Sequence, residues 1–359
     1  MNNITYLFGA GASYNACPIL NEMGDKMMEL PEEFDKKFTY TESEYQALRS
    51  SQDQLLWLIG SVGRNSKEFN TIDTYAKKLF LLGKYKELKG LKLAVSLFFT
   101  LWSLTDNKKW RTITSEKGNT RECKELDPRY ISLLATFLEK GERYPKLRDE
   151  VNFVTWNYDL QLEEAYRKFT DIEAQDYNVV NQFFPFIPNS DNLNNIKCCH
   201  LNGFQGYYGM DEGRDMFNRA DSKNLARIVE ELLFLTDPDP KGDFDFNHFI
   251  NYAWEEESSV SAIARKRAIK IFSETSTLVV IGYSFPPFNH KIDKMLLESA
   301  KGSLQRVIIQ DPLADEEYIS ETFGINKGIV KVVRDVKQFV VPNYYESSID
   351  VSLLGSVFF

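Results

Sequence analysis

Six short apolar runs, separated by segments of helical periodicity, constrain this chain more than any other feature. They are "ITYLF" (4–8), "VNFVTWN" (151–157), "NIKCCHLNG" (195–203), "TLVVIGYS" (277–284), "QRVIIQDP" (305–312) and "GIVKVV" (328–333). Short β-rich runs joined by helices are strands of a parallel sheet with crossover connections. The expected fold is therefore α/β: an open, Rossmann-type parallel sheet with helices on both faces. Between the first two runs, apolar residues recur at helical spacing in "SEYQALRSSQDQLLWLIGSVG", "TIDTYAKKLFLLGKYKELKG", "LKLAVSLFFTLWSL" and "PRYISLLATFLEKG". The spacing returns over 222–273, in "SKNLARIVEELLFLTD" and "SSVSAIARKRAIKIFSET". The expected organisation is a discontinuous core of residues 1–31, 150–204 and 274–359. It carries large helical insertions, 32–149 and 205–273, that form a smaller helical subdomain. A helix is expected over Tyr14–Leu30, directly after the first turn.

In sheets of this kind, ligands bind beyond the carboxyl ends of the strands. Five runs deliver small or polar residues to that rim. The first brings Gly9, Ala10, Gly11 and Ser13; the second Thr155, Asn157 and Asp159; the third His200, Asn202 and Gly203. The fourth brings Gly282 and Ser284, and the fifth Gln310 and Asp311. Gly9 and Gly11 either let the backbone approach a pyrophosphate at a helix N-terminus or make a tight strand-to-helix turn. Tyr14 stands where the dehydrogenase fingerprint has its third glycine, which speaks against hydride transfer. Asn157 and Asp159 suit either an Asx turn and helix cap or the grip on a carboxamide and a ribose hydroxyl. His200, one of three histidines, ends a strand on the rim, where an imidazole suits general-base work near neutral pH.

Composition narrows the class. With 43% hydrophobic and 26% charged residues over 359 positions, the chain has the make-up of a globular protein. A formal charge of −9 argues against a broad nucleic-acid surface. The four cysteines, Cys17, Cys123, Cys198 and Cys199, include no C-x-x-C pair, and the histidines show no ligand spacing. No metal is therefore expected, and the thiols are read as reduced, which fits the cytoplasm. Neither a signal peptide nor an apolar run of the roughly 20 residues that span a bilayer is evident.

Taken together, the rim resembles the sirtuin-like NAD-binding superfamily. The resemblance rests on "GAGAS" (9–13), "TWNYD" (155–159) for T-Q-N-x-D, "HLNG" (200–203) for H-G, and "IGYSF" (281–285) for G-x-S. Order and spacing agree over about half of the chain. The resemblance implies that Ala10, Gly11 and Ser13 contact the NAD phosphates. Asn157 and Asp159 would face the nicotinamide and its ribose, and His200 would be the catalytic base. Gly282 and Ser284 would bind the phosphate and adenosine ribose, with Gln310 and Asp311 near the adenosine. Residues 201–283 lack the four-cysteine module of the deacylating members. "NYD" and "GYSF" are more similar to the bacterial sirtuin-like NAD hydrolases of antiphage defence, in which infection triggers NAD depletion. The implied activity is cleavage of NAD to nicotinamide and ADP-ribose.

Because unregulated NAD cleavage would kill the host, control by homo-oligomerisation or by a partner is expected. A HerA-type ATPase or another defence-system protein is the expected partner. The apolar C-terminal "NYYESSIDVSLLGSVFF" is one candidate interface. The alternatives are an NAD-dependent protein deacylase and a non-catalytic sensor that binds NAD or ADP-ribose.

Overall fold

The computed structural model describes residues 3–35, 46–104, 108–114, 118–142, 145–170, 197–205, 207–209, 246–248, 250–255 and 259–342. The expected helix in "SKNLARIVEELLFLTD" and the apolar C-terminal segment lie outside the described residues.

The six apolar runs form six strands: β1 (Ile4–Phe8), β2 (Val151–Thr155), β3 (Cys198–His200), β4 (Thr277–Ile281), β5 (Arg306–Gln310) and β6 (Val330–Val333). They make one sheet in the order β6-β5-β4-β1-β2-β3, and every pair is parallel. This is the doubly wound order of a Rossmann-like fold, with the topological switch between β1 and β4. The polar residues of the runs gather at the carboxyl ends: Thr155, His200 and Gln310 close β2, β3 and β5, and the others follow in the turns beyond the sheet.

The pleat sends successive side chains to opposite faces. Ile4, Tyr6, Phe8 and Phe153 enter one core, while Leu7 and Val154 enter the other. Cys198 and Cys199 divide in the same way, which explains two adjacent thiols that cannot pair. Further helices are α1 (Leu20–Asp35), α2 (Gln46–Lys67), α3 (Ile72–Leu81), α4 (Tyr85–Leu104), α5 (Pro128–Phe137), α6 (Gln161–Arg167), α7 (Ser259–Ser273), α8 (His290–Ala300) and α9 (Glu316–Phe323). Helices α5 and α6 cover the first face, and α7, α8 and α9 the second. Helices α1–α4 share a third core around Met27, Ile59, Phe98 and Trp102. None of the described helices is long and apolar enough to cross a membrane.

Two sequence expectations are revised. The helix after the first turn starts at Leu20, not Tyr14, because Pro18 lacks an amide hydrogen and disfavours helical backbone at Cys17. A 3-10 turn over Ala10–Ser13 intervenes, and the helix begins with Ile19 N–H donating to Glu22 Oε2 at 2.9 Å. Periodicity also assigned α5 and α7 to the helical regions, yet both pack on the sheet. A period of 3.6 shows that a face is buried and not what buries it. A short hairpin, Thr112–Thr114 with Thr120–Glu122, interrupts the helices as well.

The switch point is held by backbone on backbone. Gly9 N–H donates to Ile281 O at 3.0 Å, Gly11 N–H to Gly282 O at 2.9 Å, and Gly282 N–H to Gln310 O at 3.0 Å. A Cβ on Gly282, whose φ is +59°, would lie 2.4 Å from Ala12 N. Gly282→Ala is expected to lower stability by about 2–4 kcal/mol, the sum of a left-handed backbone and a main-chain clash. Chemical denaturation measures it; a loss below about 1 kcal/mol would show that the two turns separate freely.

Candidate active site

The glycine turn comes first because its expected role changes. A Cβ on Gly9 would meet Gly282 O at 2.6 Å, and one on Gly11 would meet Gly282 Cα at 2.8 Å. What the two glycines admit is the chain's own second turn. Arg129, buried on α5, holds the same turn from below: its guanidinium donates to Ala12 O at 2.8 Å and pairs with Asp127 at 2.6 Å. Ala10 faces the cleft that opens above.

That cleft lies at the switch point, where doubly wound sheets bind ligands, and has a cavity volume of about 120 Å³. Of the sequence-predicted residues, Ala10, Asn157, Asp159, Gly282 and Ser284 line it. Asn202, expected on the rim but given no role, lines it too, and Asp73, Tyr158, Tyr283 and Asn289 join them without having been predicted. Phe285, beside this wall, is buried with φ +52°, a strained backbone of the kind found at functional sites.

Ser13 lies behind the cleft and organises it. Its hydroxyl donates to Asp159 Oδ1 at 3.0 Å and accepts from Asn157 Nδ2 at 3.2 Å. One hydroxyl has one proton, so Tyr130 OH, at 3.1 Å, donates to Ser13. Thr155 Oγ1 accepts Asn157 N–H at 3.0 Å, fixing the turn. Asn157 is thus anchored through its nitrogen, and its Oδ1 has no hydrogen-bond partner among the described residues. Asp159 Oδ1 also accepts Gln161 N–H at 3.1 Å, in a local turn that leads into α6. Burial pushes the Asp159 carboxyl up to about 6, against the pull of its hydrogen bonds.

His200 takes a different place from the expected one. Its ring is buried and is not part of the cleft lining. Nε2 lies 2.8 Å from Glu163 Oε1, and Nδ1 lies 3.2 Å from Asn157 O. Both neighbours are acceptors when Glu163 is ionised, so both ring nitrogens act as donors. Burial works against the imidazolium, but the charge and hydrogen bond of Glu163 outweigh it and raise the His200 pKa. In this arrangement no ring nitrogen is presented to the cleft to take a proton. Asn202, two residues on, is the residue of "HLNG" that lines it. The signal that separates the two is the strand end itself: His200 closes β3, and Asn202 follows in the turn.

Gln310 and Asp311 also stay outside the cleft lining. Gln310 is buried and fully bonded: Nε2 donates to Asp335 O and Gln338 O, both at 2.6 Å, and Oε1 accepts Val340 N–H at 3.0 Å. It fastens the segment after β6. Asp311 Oδ1 accepts Leu313 N–H at 2.7 Å in a local turn. Asp73, on α3, belongs to no motif, and only the packing of α3 brings it to the strand ends. Burial pushes its carboxyl up to about 6, with a hydrogen bond from Tyr158 pulling the other way.

Glu163, Cys198 and His200 place three potential ligand atoms within 4.8 Å of one another. The Glu163–His200 bond uses two of these atoms, and burial holds the Cys198 thiol well above its ordinary pKa. No protein-family model matches the chain, and no curated protein matches it.

The His200–Glu163 pair makes a stability prediction. Because the folded-state pKa of His200 is raised, the stabilisation is complete below the unfolded value near 6.5 and is lost as pH rises through the folded one. His200→Ala leaves Glu163 buried without its partner and is expected to lower stability by about 3–5 kcal/mol. Combining it with Glu163→Gln should recover much of that loss. Denaturant titration of both variants checks this; a single variant as stable as wild type would remove the pair from the fold's support.

Proposed function

We propose that the chain is a sirtuin-like NAD glycohydrolase that cleaves the bond between nicotinamide and ribose C1′. One observation carries the reading: at the switch point of a dinucleotide-type sheet, Asn157 is anchored to Ser13 through its nitrogen, with its oxygen left for a ligand. On this reading Asn157 Oδ1 accepts a hydrogen bond from a ribose hydroxyl. The glycosidic bond breaks with its electron pair leaving on nicotinamide, which departs neutral. The ribose cation left behind is attacked by water, and the water's proton passes to Asp159. His200 acts at one remove, by holding the backbone of Asn157. Large helical insertions in the sirtuin-like core, NAD depletion in antiphage defence, a cytoplasmic setting, and control by self-assembly or a HerA-type partner belong to the same proposal and rest on the sequence resemblance.

A second reading, a non-catalytic sensor of NAD or ADP-ribose, draws on the absence of an imidazole from the cleft lining among the described residues. A product assay separates the two. Purified protein incubated with NAD is expected to release nicotinamide and ADP-ribose without any acetylated peptide. Asn157→Ala should lower turnover by about 10²-fold or more. Asp159→Asn should lower it by about 10²- to 10⁴-fold, as removal of a general base does. Wild-type turnover should fall as pH drops below about 6, where Asp159 becomes protonated. Ligand binding without product would favour the sensor; product only in the presence of acetyl-lysine peptide would favour a deacylase. Light scattering is expected to show a species larger than one chain in the active form, and a fully active monomer would remove the control by assembly.

A further inference from the structure

The cleft is acidic, and one of its carboxylates belongs to no nucleotide motif. Two carboxylates, Asp73 and Asp159, line it, and no Lys, Arg or His does so among the described residues. Asp159 is engaged by Ser13 and Gln161. Asp73 receives a hydrogen bond from Tyr158, but its Oδ1 is buried and has no hydrogen-bond partner. The side chain sits in the first turn of α3 beside the capping residue Thr71, whose Oγ1 accepts Thr74 N–H at 3.2 Å. The cap is therefore already supplied, and Asp73 is not needed for it. The groups around it offer no cation. Tyr158 follows β2, Tyr252 and Glu255 come from the 250–255 segment, and Tyr283 follows β4. Lys92 on α4 is spent on Glu255, at 2.6 Å. A buried carboxylate oxygen without a partner is unfavourable unless something else supplies the charge. The phosphates of a dinucleotide are anions and are repelled by an ionised Asp73. Its oxidised pyridinium ring is a cation and is attracted, with Tyr158 and Tyr283 as aromatic walls.

We infer that Asp73, contributed by the helical layer, recognises the positive charge of the pyridinium ring, so that the cleft takes the oxidised dinucleotide and discriminates against the reduced one. The inference rests on the NAD reading of the cleft. Asp73 meets the ligand's charge and does not take part in proton transfer. A neutral dihydropyridine ring leaves Oδ1 unpartnered, whereas the pyridinium compensates it. This charge is also the one that disappears when the glycosidic bond breaks, so the departing neutral nicotinamide is no longer held.

Calorimetric titration of the full chain tests the inference with three probes: a carbocyclic NAD analogue that keeps the cation but is not cleaved, NADH, and ADP-ribose. Wild type is expected to bind the cationic analogue at least about tenfold more tightly than NADH, the effect of one charge pair in a partly buried site. Asp73→Asn should erase that preference and leave ADP-ribose affinity within about twofold of wild type. Asp73→Ser, which suits the first turn of a helix, serves as a second variant. In wild type the preference should fade between about pH 7.5 and about pH 5, as the carboxyls near 6 are protonated. A preference that survives both substitutions, or is unchanged across that pH range, overturns the role of Asp73. Failure of all three probes to bind overturns the NAD reading itself, and binding of ADP-ribose alone overturns only the charge recognition.

Discussion

Everything at the rim depends on two turns whose backbones touch. The turn after β1 and the turn after β4 meet with no Cβ between them, and three main-chain hydrogen bonds lock Gly9, Gly11 and Gly282 to the neighbouring strand ends. This contact sets the distance between the halves of the doubly wound sheet where their crossovers diverge. The cleft is the space that divergence leaves. The glycines therefore serve the ligand indirectly: they bring Ala10 on one turn and Ser284 on the other to the same opening. Arg129 repeats the logic from beneath, using a charged side chain to satisfy the turn's carbonyls.

Buried ionisable groups divide the labour on either side of the floor. Behind it, His200 and Glu163 satisfy each other and hold the backbone of Asn157. In front of it, no cation pairs directly with Asp73 or Asp159 among the described residues, and desolvation keeps both carboxyls near 6. A third carboxyl, Asp293, is pushed up to about 8 by burial and accepts the hydroxyl of Tyr283 at 2.9 Å, bracing the cleft wall. The site is thus an acidic surface resting on a neutralised layer.

The sheet was legible in the sequence because a parallel strand covered on both faces is an unbroken apolar run, and all six runs appear as strands. The residues just past each run were legible for the same reason. The role of each was less so. His200 closes β3 and Asn202 follows in the turn, and which of them enters the cleft depends on where β3 stops pairing with β2, a matter of register. Gln310 reads as a rim residue, yet the segment after β6 returns to bury it. Asp73 was invisible because its contribution depends on how a helix 84 positions before Asn157 docks, and no local pattern encodes that. Helices α5 and α7 show helical periodicity in the sequence, but a hydrophobic stripe does not name its partner, and both pack on the sheet.

The pleat that separates Cys198 from Cys199 has a chemical consequence. Each thiol is sealed in a different core, and burial holds both above the ordinary thiol range, Cys199 at about 12. Cys17 and Cys123 are buried and likewise raised. Nucleophilic attack on an oxidant requires thiolate, and none of the four supplies it near neutral pH. The vicinal pair is thus two separately buried thiols, neither of them poised as a thiolate.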